Sequence, residues 1–356
     1  MKEHGEDRYG AIAQRLSVWY GEHGRDLPWR HTRDPYRIWV SEIILQQTRV
    51  AQAMGYYERF TERFPDAKRL AEASEDEVLK LWQGLGYYSR ARHLHAAAAL
   101  LCDRFGGHLP ADYAAVRSMP GVGDYTAAAI CSIAFGMPYA VVDGNVFRVL
   151  SRLFDCDEPI DTTAGRRFFA ELAAALLPAT DPGRHNQAIM DFGALQCLPG
   201  RPDCPECPLN DLCLAFASGK VSDRPVRTMH TKIASRWFNY LQVVCDGNTW
   251  IHRRQENDIW HGLYEFPMVE TSDACDWLRL AGESRVEALF GGVVPQPVKV
   301  TEMPPHQLSH RVIRARFFRF ELTEVPSGFA KFLCVPVAEL GNYAIPRLIE
   351  RYLENS

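Results

Sequence analysis

From Tyr9 to about Ala217 apolar residues recur at spacings of three and four. Alanine is abundant there, and breaks fall at Asp34-Pro35, Phe64-Pro65, Gly106-Gly107 and Pro120-Gly121. That period marks amphipathic helices, and the Gly and Pro clusters cut the stretch into a series of short ones. The texture then changes. Trp237 to Cys245 reads as a strand, Asp246-Gly247-Asn248 as a turn and Thr249 to Arg253 as the return of a hairpin. Arg314 to Leu322 alternates again, with Ala315 and Phe317, and Phe320 as a further candidate, set against Arg314, Arg316 and Arg319. Amphipathic segments lie near Trp277 to Phe290 and Ile345 to Leu353. The expected organisation is a mostly helical domain over 1–217, a linker over 218–232 and an α+β domain over 233–356.

A chain of 356 residues with 47% hydrophobic content can bury two cores. No apolar run approaches the ~20 residues that span a bilayer. The opening, Met1 to Arg8, is polar and charged, so neither a secretion signal nor a membrane anchor is expected, and the location is expected to be cytoplasmic, nucleoid-associated in a prokaryote. The net charge of −4 lacks the basic surplus of many nucleic-acid-binding proteins, and the part up to Met229 holds 26 Lys+Arg against 29 Asp+Glu. Phosphate contacts would have to come from a local basic face or from backbone amides. Arg224, Arg227, Lys232 and Arg236 form one such stretch, which a solvated linker explains equally well.

Ten cysteines are spread unevenly, with Cys197, Cys204, Cys207 and Cys213 crowded into one segment. A chain of this size without a signal peptide points to metal-type cysteine use in a reducing compartment. Zinc ribbons usually pair two Cys-x2-Cys knuckles, and here there is one, so a 4Fe-4S cluster is the expected group. Met119-Pro120-Gly121-Val122-Gly123-Asp124-Tyr125-Thr126 opens a further helix. Two glycines around one apolar residue at a helix start expose backbone N–H groups that suit a phosphate.

Two carboxylates stand in unusual settings. Glu42 lies within Trp39-Val40-Ser41-Glu42-Ile43-Ile44-Leu45, and desolvation there would keep it protonated, as a general acid requires. Asp143, in Val141-Val142-Asp143-Gly144-Asn145-Val146, reads first as a helix N-cap.

The cysteine spacing, at the end of a helical domain and about 75 residues after Pro-Gly-Val-Gly, resembles the endonuclease III superfamily of DNA repair glycosylases. Within it the chain resembles the MutY-type adenine DNA glycosylases over almost its whole length. The resemblance implies a helix-hairpin-helix built on Gly121 and Gly123, with Arg201 of the cluster loop as a phosphate contact. It implies that Glu42 protonates adenine, and that Asp143, positioned by Asn145, stabilises the cationic sugar. Tyr125 stands where bifunctional relatives carry a Schiff-base lysine, so base removal with little strand cleavage is expected. Trp29 and Arg30 in Leu27-Pro28-Trp29-Arg30, with Gln187, resemble the adenine pocket. Leu45, Gln47 and Tyr87 resemble the residues that meet the mispair. Phe147 departs from relatives that carry a basic residue there.

Trp260-His261-Gly262-Leu263-Tyr264-Glu265-Phe266-Pro267 is similar to the Nudix-like C-terminal domain of that family. His306-Gln307-Leu308-Ser309-His310 is similar to its 8-oxoguanine-sensing loop, with Leu308 in place of phenylalanine. The implied partner is double-stranded DNA with A:8-oxoguanine or A:G mispairs, bound by a monomer. Three other readings stand beside this one: a thymine or damaged-pyrimidine glycosylase, a non-catalytic iron-sulfur DNA-binding protein, and a nucleotide hydrolase seated in the second domain, for which Glu283 and Glu287 alone do not make the required glutamate cluster.

Overall fold

The structure, a computed structural model, describes residues 3–228, 234–256, 258–308 and 310–355. Lys232 of the basic stretch and Ser309 of the sensing loop lie outside the described residues. The chain splits into two compact units, Met1–Glu72 with His93–Met229, and Ala73–Arg92 with His230–Ser356. The division by texture along the sequence placed 73–92 with the helical domain, whereas by packing that segment groups with the C-terminal residues.

The first unit is helical throughout, as the three- and four-residue spacing requires. The helices Glu3–His23, Asp124–Phe135, Gly144–Leu153, Thr163–Leu176 and Pro182–Leu195 bury Ile12, Leu16, Trp19, Val149, Phe169 and Phe192 in one core. The helix Pro35–Leu45 starts at Asp34, whose carboxylate accepts from the Tyr36 amide at 2.9 Å, with Pro35 at the first position. It buries Ile38, Trp39, Val40, Ile43 and Ile44. A helix apolar on nearly every side is enclosed by its neighbours, so the one acid in its last turn loses its water.

Two glycines let backbones meet. Gly121 has φ 76° and a Cβ there would sit 2.7 Å from the Cβ of His93. A Cβ on Gly193 would lie 2.7 Å from that of Asn145, so Gly193 is what allows the helix Pro182–Leu195 to lie against the Asp143–Asn145 turn. The chain after the cysteine segment stays on this unit: the Ile160 amide donates to Val226 O at 3.1 Å, and the Thr228 amide to Asp161.

The second unit is built on an eight-stranded mixed sheet. Its strands are β1 (Ala234–Cys245), β2 (Asn248–Arg253), β3 (Tyr264–Glu265), β4 (Met268–Thr271), β5 (Lys299–Glu302), β6 (His306–Gln307), β7 (Arg311–Glu321) and β8 (Leu333–Pro336). The order is β3-β2-β1-β7-β5, with β1 and β7 parallel. The expected hairpin is present, with Cys245 opposite Asn248 and a two-residue turn of Asp246 and Gly247 at φ 48° and 75°. Two positive φ values match the turn that suits the right-handed twist of paired strands.

Both faces of the sheet are covered. Ile313, Ala315 and Phe317 face a core closed by the helix Arg347–Glu354, whereas Phe318 and Phe320 face the one closed by Trp277–Ala281 and Ser284–Phe290. Placing Phe320 with Ala315 and Phe317 was therefore an error of parity: residues three apart on a strand point to opposite faces. The helix Glu75–Trp82 completes this unit, where Arg253 pairs with Glu75 at 2.5 Å and the Tyr264 hydroxyl donates to Asp76 at 3.0 Å.

Two arginines of the basic stretch are paired with acids. Arg224 pairs with Asp155 at 2.9 Å, and Arg236 with Asp258 and Glu270 at 2.5 and 2.7 Å. A free basic face built on these two arginines is excluded, because each guanidinium already has a carboxylate partner.

Candidate active site

Five helices and the Pro28–Arg30 turn of the first unit close on a cavity of about 190 Å³. Trp29, Arg30, Glu42, Leu45, Tyr125, Asp143, Asn145 and Gln187 all line it, with Arg25, Ser41, Thr48 and Met190. Drug-sized ligands occupy ~300–1,000 Å³, so this space suits one heterocyclic base rather than a whole nucleotide.

Glu42 is only 6% exposed. Burial pushes its carboxyl up to about 7; the nearby charge of Asp143 adds to this, and the Tyr125 hydroxyl and Arg30 guanidinium oppose it. Tyr125 is itself driven well above the ordinary phenol range, first by burial and then by the two carboxylates, and its hydroxyl also lies 3.3 Å from Met190 Sδ. It is held as a neutral donor.

Asp143 is the helix cap the sequence suggested, and it also lines the cavity. As the cap of Gly144–Leu153 its Oδ1 accepts from the amides of Asn145 and Val146 at 2.9 and 2.8 Å. Its Oδ2 accepts from the Asn145 side-chain amide at 2.8 Å and it lines the cavity. Burial raises its pKa, against the pull of those three N–H donors and of Arg148. The two carboxyl groups thus differ in degree: three N–H donors stabilise the charge of Asp143, whereas at Glu42 burial outweighs the help of Tyr125 and Arg30.

Arg30 is fixed. Its guanidinium forks onto Asp191 at 2.5 and 2.6 Å and donates to Arg25 O at 2.9 Å. Arg25 also pairs with Asp191, which has no solvent exposure. Burial raises the Asp191 pKa, but the hydrogen bonds from Arg30 and Arg25 outweigh it and hold the carboxyl below its usual range. Gln187 accepts from the Tyr20 hydroxyl at 3.0 Å. Asp191 and Tyr20 were missed in the sequence, although Asp191 sits one helical turn beyond Gln187, a spacing that places both on one face.

The cysteines surround a second, smaller cavity of about 30 Å³, lined by Cys197, Cys204, Cys207 and Cys213 together with Arg152. Burial pushes the Cys207 thiol up to about 11, and those of Cys204 and Cys213 in the same direction. Arg152 lies 3.4 Å from Cys197 Sγ and donates to Leu198 O at 2.8 Å. Among the described residues no three His, Cys, Asp or Glu side chains gather as they would around a single metal ion. Four thiols ringing one space, with a guanidinium beside them, form a donor set that fits a thiolate-bound centre of several atoms. Arg148, also absent from the sequence reading, links the two regions: it donates to Cys197 O at 2.8 Å, Gly193 O at 2.5 Å and Asn145 Oδ1 at 3.0 Å.

The remaining candidates lie outside the cavity. Gln47, just past the helix Pro35–Leu45, is exposed at φ 55°; Tyr87, in the other unit, is 43% exposed at φ 47°. Left-handed backbone at non-glycine residues is costly and concentrates at ligand-contacting positions. Gly123 caps the helix Asp124–Phe135 without a side-chain bond, which leaves its first amides available. Phe147 packs edge-on against Phe169 at 5.4 Å, and Arg201 is exposed. In the second unit Leu308 and Arg311 close a hairpin tip between β6 and β7, and Leu308 packs against the core while His310 is exposed. Glu283 caps a short helix and Glu287 lies on it, both exposed.

Residues 40–174 match the model of the HhH-GPD superfamily of base excision DNA repair proteins, and residues 239–355 match that of the NUDIX domain. An adenine DNA glycosylase of Buchnera aphidicola is 32% identical over 270 residues, which is 75% of this chain and 77% of that protein. The human adenine DNA glycosylase is 43% identical over 234 residues, 60% of this chain and 43% of that one. Among solved structures, a thermostable thymine-DNA glycosylase aligns at a TM-score of 0.56 with 30% identity, covering 60% of this chain and 98% of its own. No helix of the described residues is long and apolar enough to cross a membrane. With two relatives of at least 32% identity aligned over three quarters of their length, the chain belongs to the adenine DNA glycosylase family.

Proposed function

We propose that this protein excises adenine mispaired with 8-oxoguanine or guanine in duplex DNA, as a monofunctional glycosylase. The observation that carries the reading is the pairing of Glu42 and Asp143, two carboxyl groups in unlike settings, on one base-sized cavity. The adenine DNA glycosylases among its relatives favour adenine over a pyrimidine.

The target base leaves the stack and enters the cavity, with Gln47 and Tyr87 filling the gap in the duplex. Protonated Glu42 gives its proton to a ring nitrogen of the adenine, which weakens the N-glycosidic bond. As the bond breaks the base takes the bonding pair, and Asp143 stabilises the positive charge left on the sugar. Water adds to the sugar carbon and surrenders a proton to Glu42, restoring the acid. Asn145 holds Asp143 in place, and Trp29, Arg30, Leu45 and Gln187 hold the base. Tyr125 has no amine with which to form an imine, so the abasic product stays intact. Gly121 and Gly123 offer backbone amides to a phosphate. Leu308, Ser309 and His310 read the opposite base.

Cys197, Cys204, Cys207 and Cys213 would hold a 4Fe-4S cluster, which braces their loop and takes no part in the hydrolysis. The test is single-turnover base release from a duplex with adenine opposite 8-oxoguanine, beside Glu42→Gln and a duplex with cytosine in place of adenine. Release of adenine by the unaltered protein alone is expected. No release from the adenine duplex by protein that binds it would overturn the reading and leave a DNA-binding protein.

A further inference from the structure

The base cavity has a neighbour. A second cavity of about 220 Å³ is lined by Tyr20, Thr32, Arg33, Asp181 and Arg184, and it shares Arg30, Ile133 and Gln187 with the first. Arg33, Asp181 and Arg184 are exposed, so this second space opens to solvent. We infer that it is the exit vestibule for the free base, entered by displacement of the Gln187 side chain. The inference rests on the base-excision reading above.

The need for such a route follows from the reaction. The target base arrives from the duplex side, and after cleavage the abasic strand still covers that entrance. A free base can then leave through another wall, or it must wait until the DNA departs.

The three shared residues are not equally able to move. Arg30 is locked by its fork onto Asp191 and its bond to Arg25 O. Ile133 is β-branched and lies in the helix Asp124–Phe135, where such a side chain keeps one strongly preferred χ1 rotamer. The Gln187 side chain is held by one hydrogen bond between neutral groups, from Tyr20, so a change of rotamer removes it from the wall. Beyond it, Thr32, Arg33, Asp181 and Arg184 bring hydroxyl, guanidinium and carboxylate groups to the space, donors and acceptors both, as the mixed edge of a neutral purine requires.

The experiment follows labelled adenine and the duplex separately under single-turnover conditions, by passing the unquenched reaction through a filter that retains protein–DNA complexes. The unaltered protein should lose free base at least about tenfold faster than it releases the abasic duplex. Arg33→Trp and Thr32→Trp, which obstruct the vestibule outside the base cavity, should cleave at the unaltered rate but release the base only as fast as the duplex. Base and duplex leaving together from the unaltered protein would overturn the inference, and so would early base release that neither substitution slows. Failure to cleave adenine at all would instead remove the reading on which it rests.

Discussion

Asn145 donates its side-chain amide to Asp143 Oδ2 at 2.8 Å, while its own oxygen accepts from Arg148 at 3.0 Å. Arg148 also donates to Cys197 O, so one guanidinium joins the cysteine loop to the carboxylate of the cavity. Loss of that guanidinium frees Asn145 to rotate and leaves four acceptors, Cys197 O, Gly144 O, Gly193 O and Asn145 Oδ1, without that donor. Arg148→Gln is expected to lower single-turnover adenine release by about 10- to 100-fold, on the scale of 1.4 kcal/mol per decade. Affinity for a duplex with an uncleavable abasic analogue should change little. Equal losses in both would show that Arg148 serves binding or folding rather than the position of Asp143.

Glu42 titrates near 7 because burial opposes its charge. Adenine release should therefore fall as pH rises through that value, since the proton to be delivered is lost. Glu42→Gln removes the acid and should cost 10²- to 10⁴-fold in single-turnover rate. A pH–rate profile flat from pH 6 to about 8 would contradict the assignment.

The same shift carries a stability consequence in the same direction of pH. The folded-state pKa lies above the ordinary glutamate value of 4.5, so the folded state holds more protons than the unfolded one between those values. Stability is lost as pH rises through this window, by about 3 kcal/mol for the full shift. Thermal unfolding should show Glu42→Gln gaining on the unaltered protein at pH 8 and losing that advantage near pH 4.5.

The Tyr125 hydroxyl lowers the Glu42 pKa by bonding to its charged form. Tyr125→Phe should move the alkaline limb of the pH–rate profile upward. Borohydride trapping on cleaved duplex should be weak for both proteins, because neither residue offers an amine. Efficient trapping would make another side chain a nucleophile and end the monofunctional reading.

Protein purified without air should carry about four irons per chain, as expected of a Cys₄-bound cubane cluster. Cys204→Ser should lower the iron content. Stoichiometric zinc without iron would replace the cluster with a structural ion.

Leu308 is only half-buried at the hairpin tip, so a larger aromatic side chain there would keep a face exposed for stacking. Base–aromatic stacking is worth ~1 to 3 kcal/mol, so Leu308→Phe should raise the preference for 8-oxoguanine over guanine by about tenfold. An unchanged ratio of single-turnover rates for the two duplexes would separate this loop from reading of the opposite base.

The helical character of the first unit and the Cys245–Asn248 hairpin were legible because both are local: periodicity and turn chemistry act within a few residues. So were the individual settings of Glu42 and Asp143, one in an apolar helix and the other before a helix start. The candidate roles of Leu308 and Tyr87 rest on resemblance alone. The face of Phe320 was misjudged because arginines fall on both faces of this strand, Arg314 and Arg316 on one and Arg319 on the other, so no uniformly polar face marks the parity.

What the chain by itself determined is the set of elements, the four-thiol segment and the two carboxylates, since each depends on neighbours in sequence. Tertiary packing decided the rest. It brought Arg25 and Arg30 onto Asp191 across more than 160 residues, neutralised Arg224 and Arg236 with distant acids, and set Arg148 between Cys197 and Asn145. A charged side chain chooses its partner by proximity in space and by the desolvation both must share, and neither quantity exists until the helices have packed.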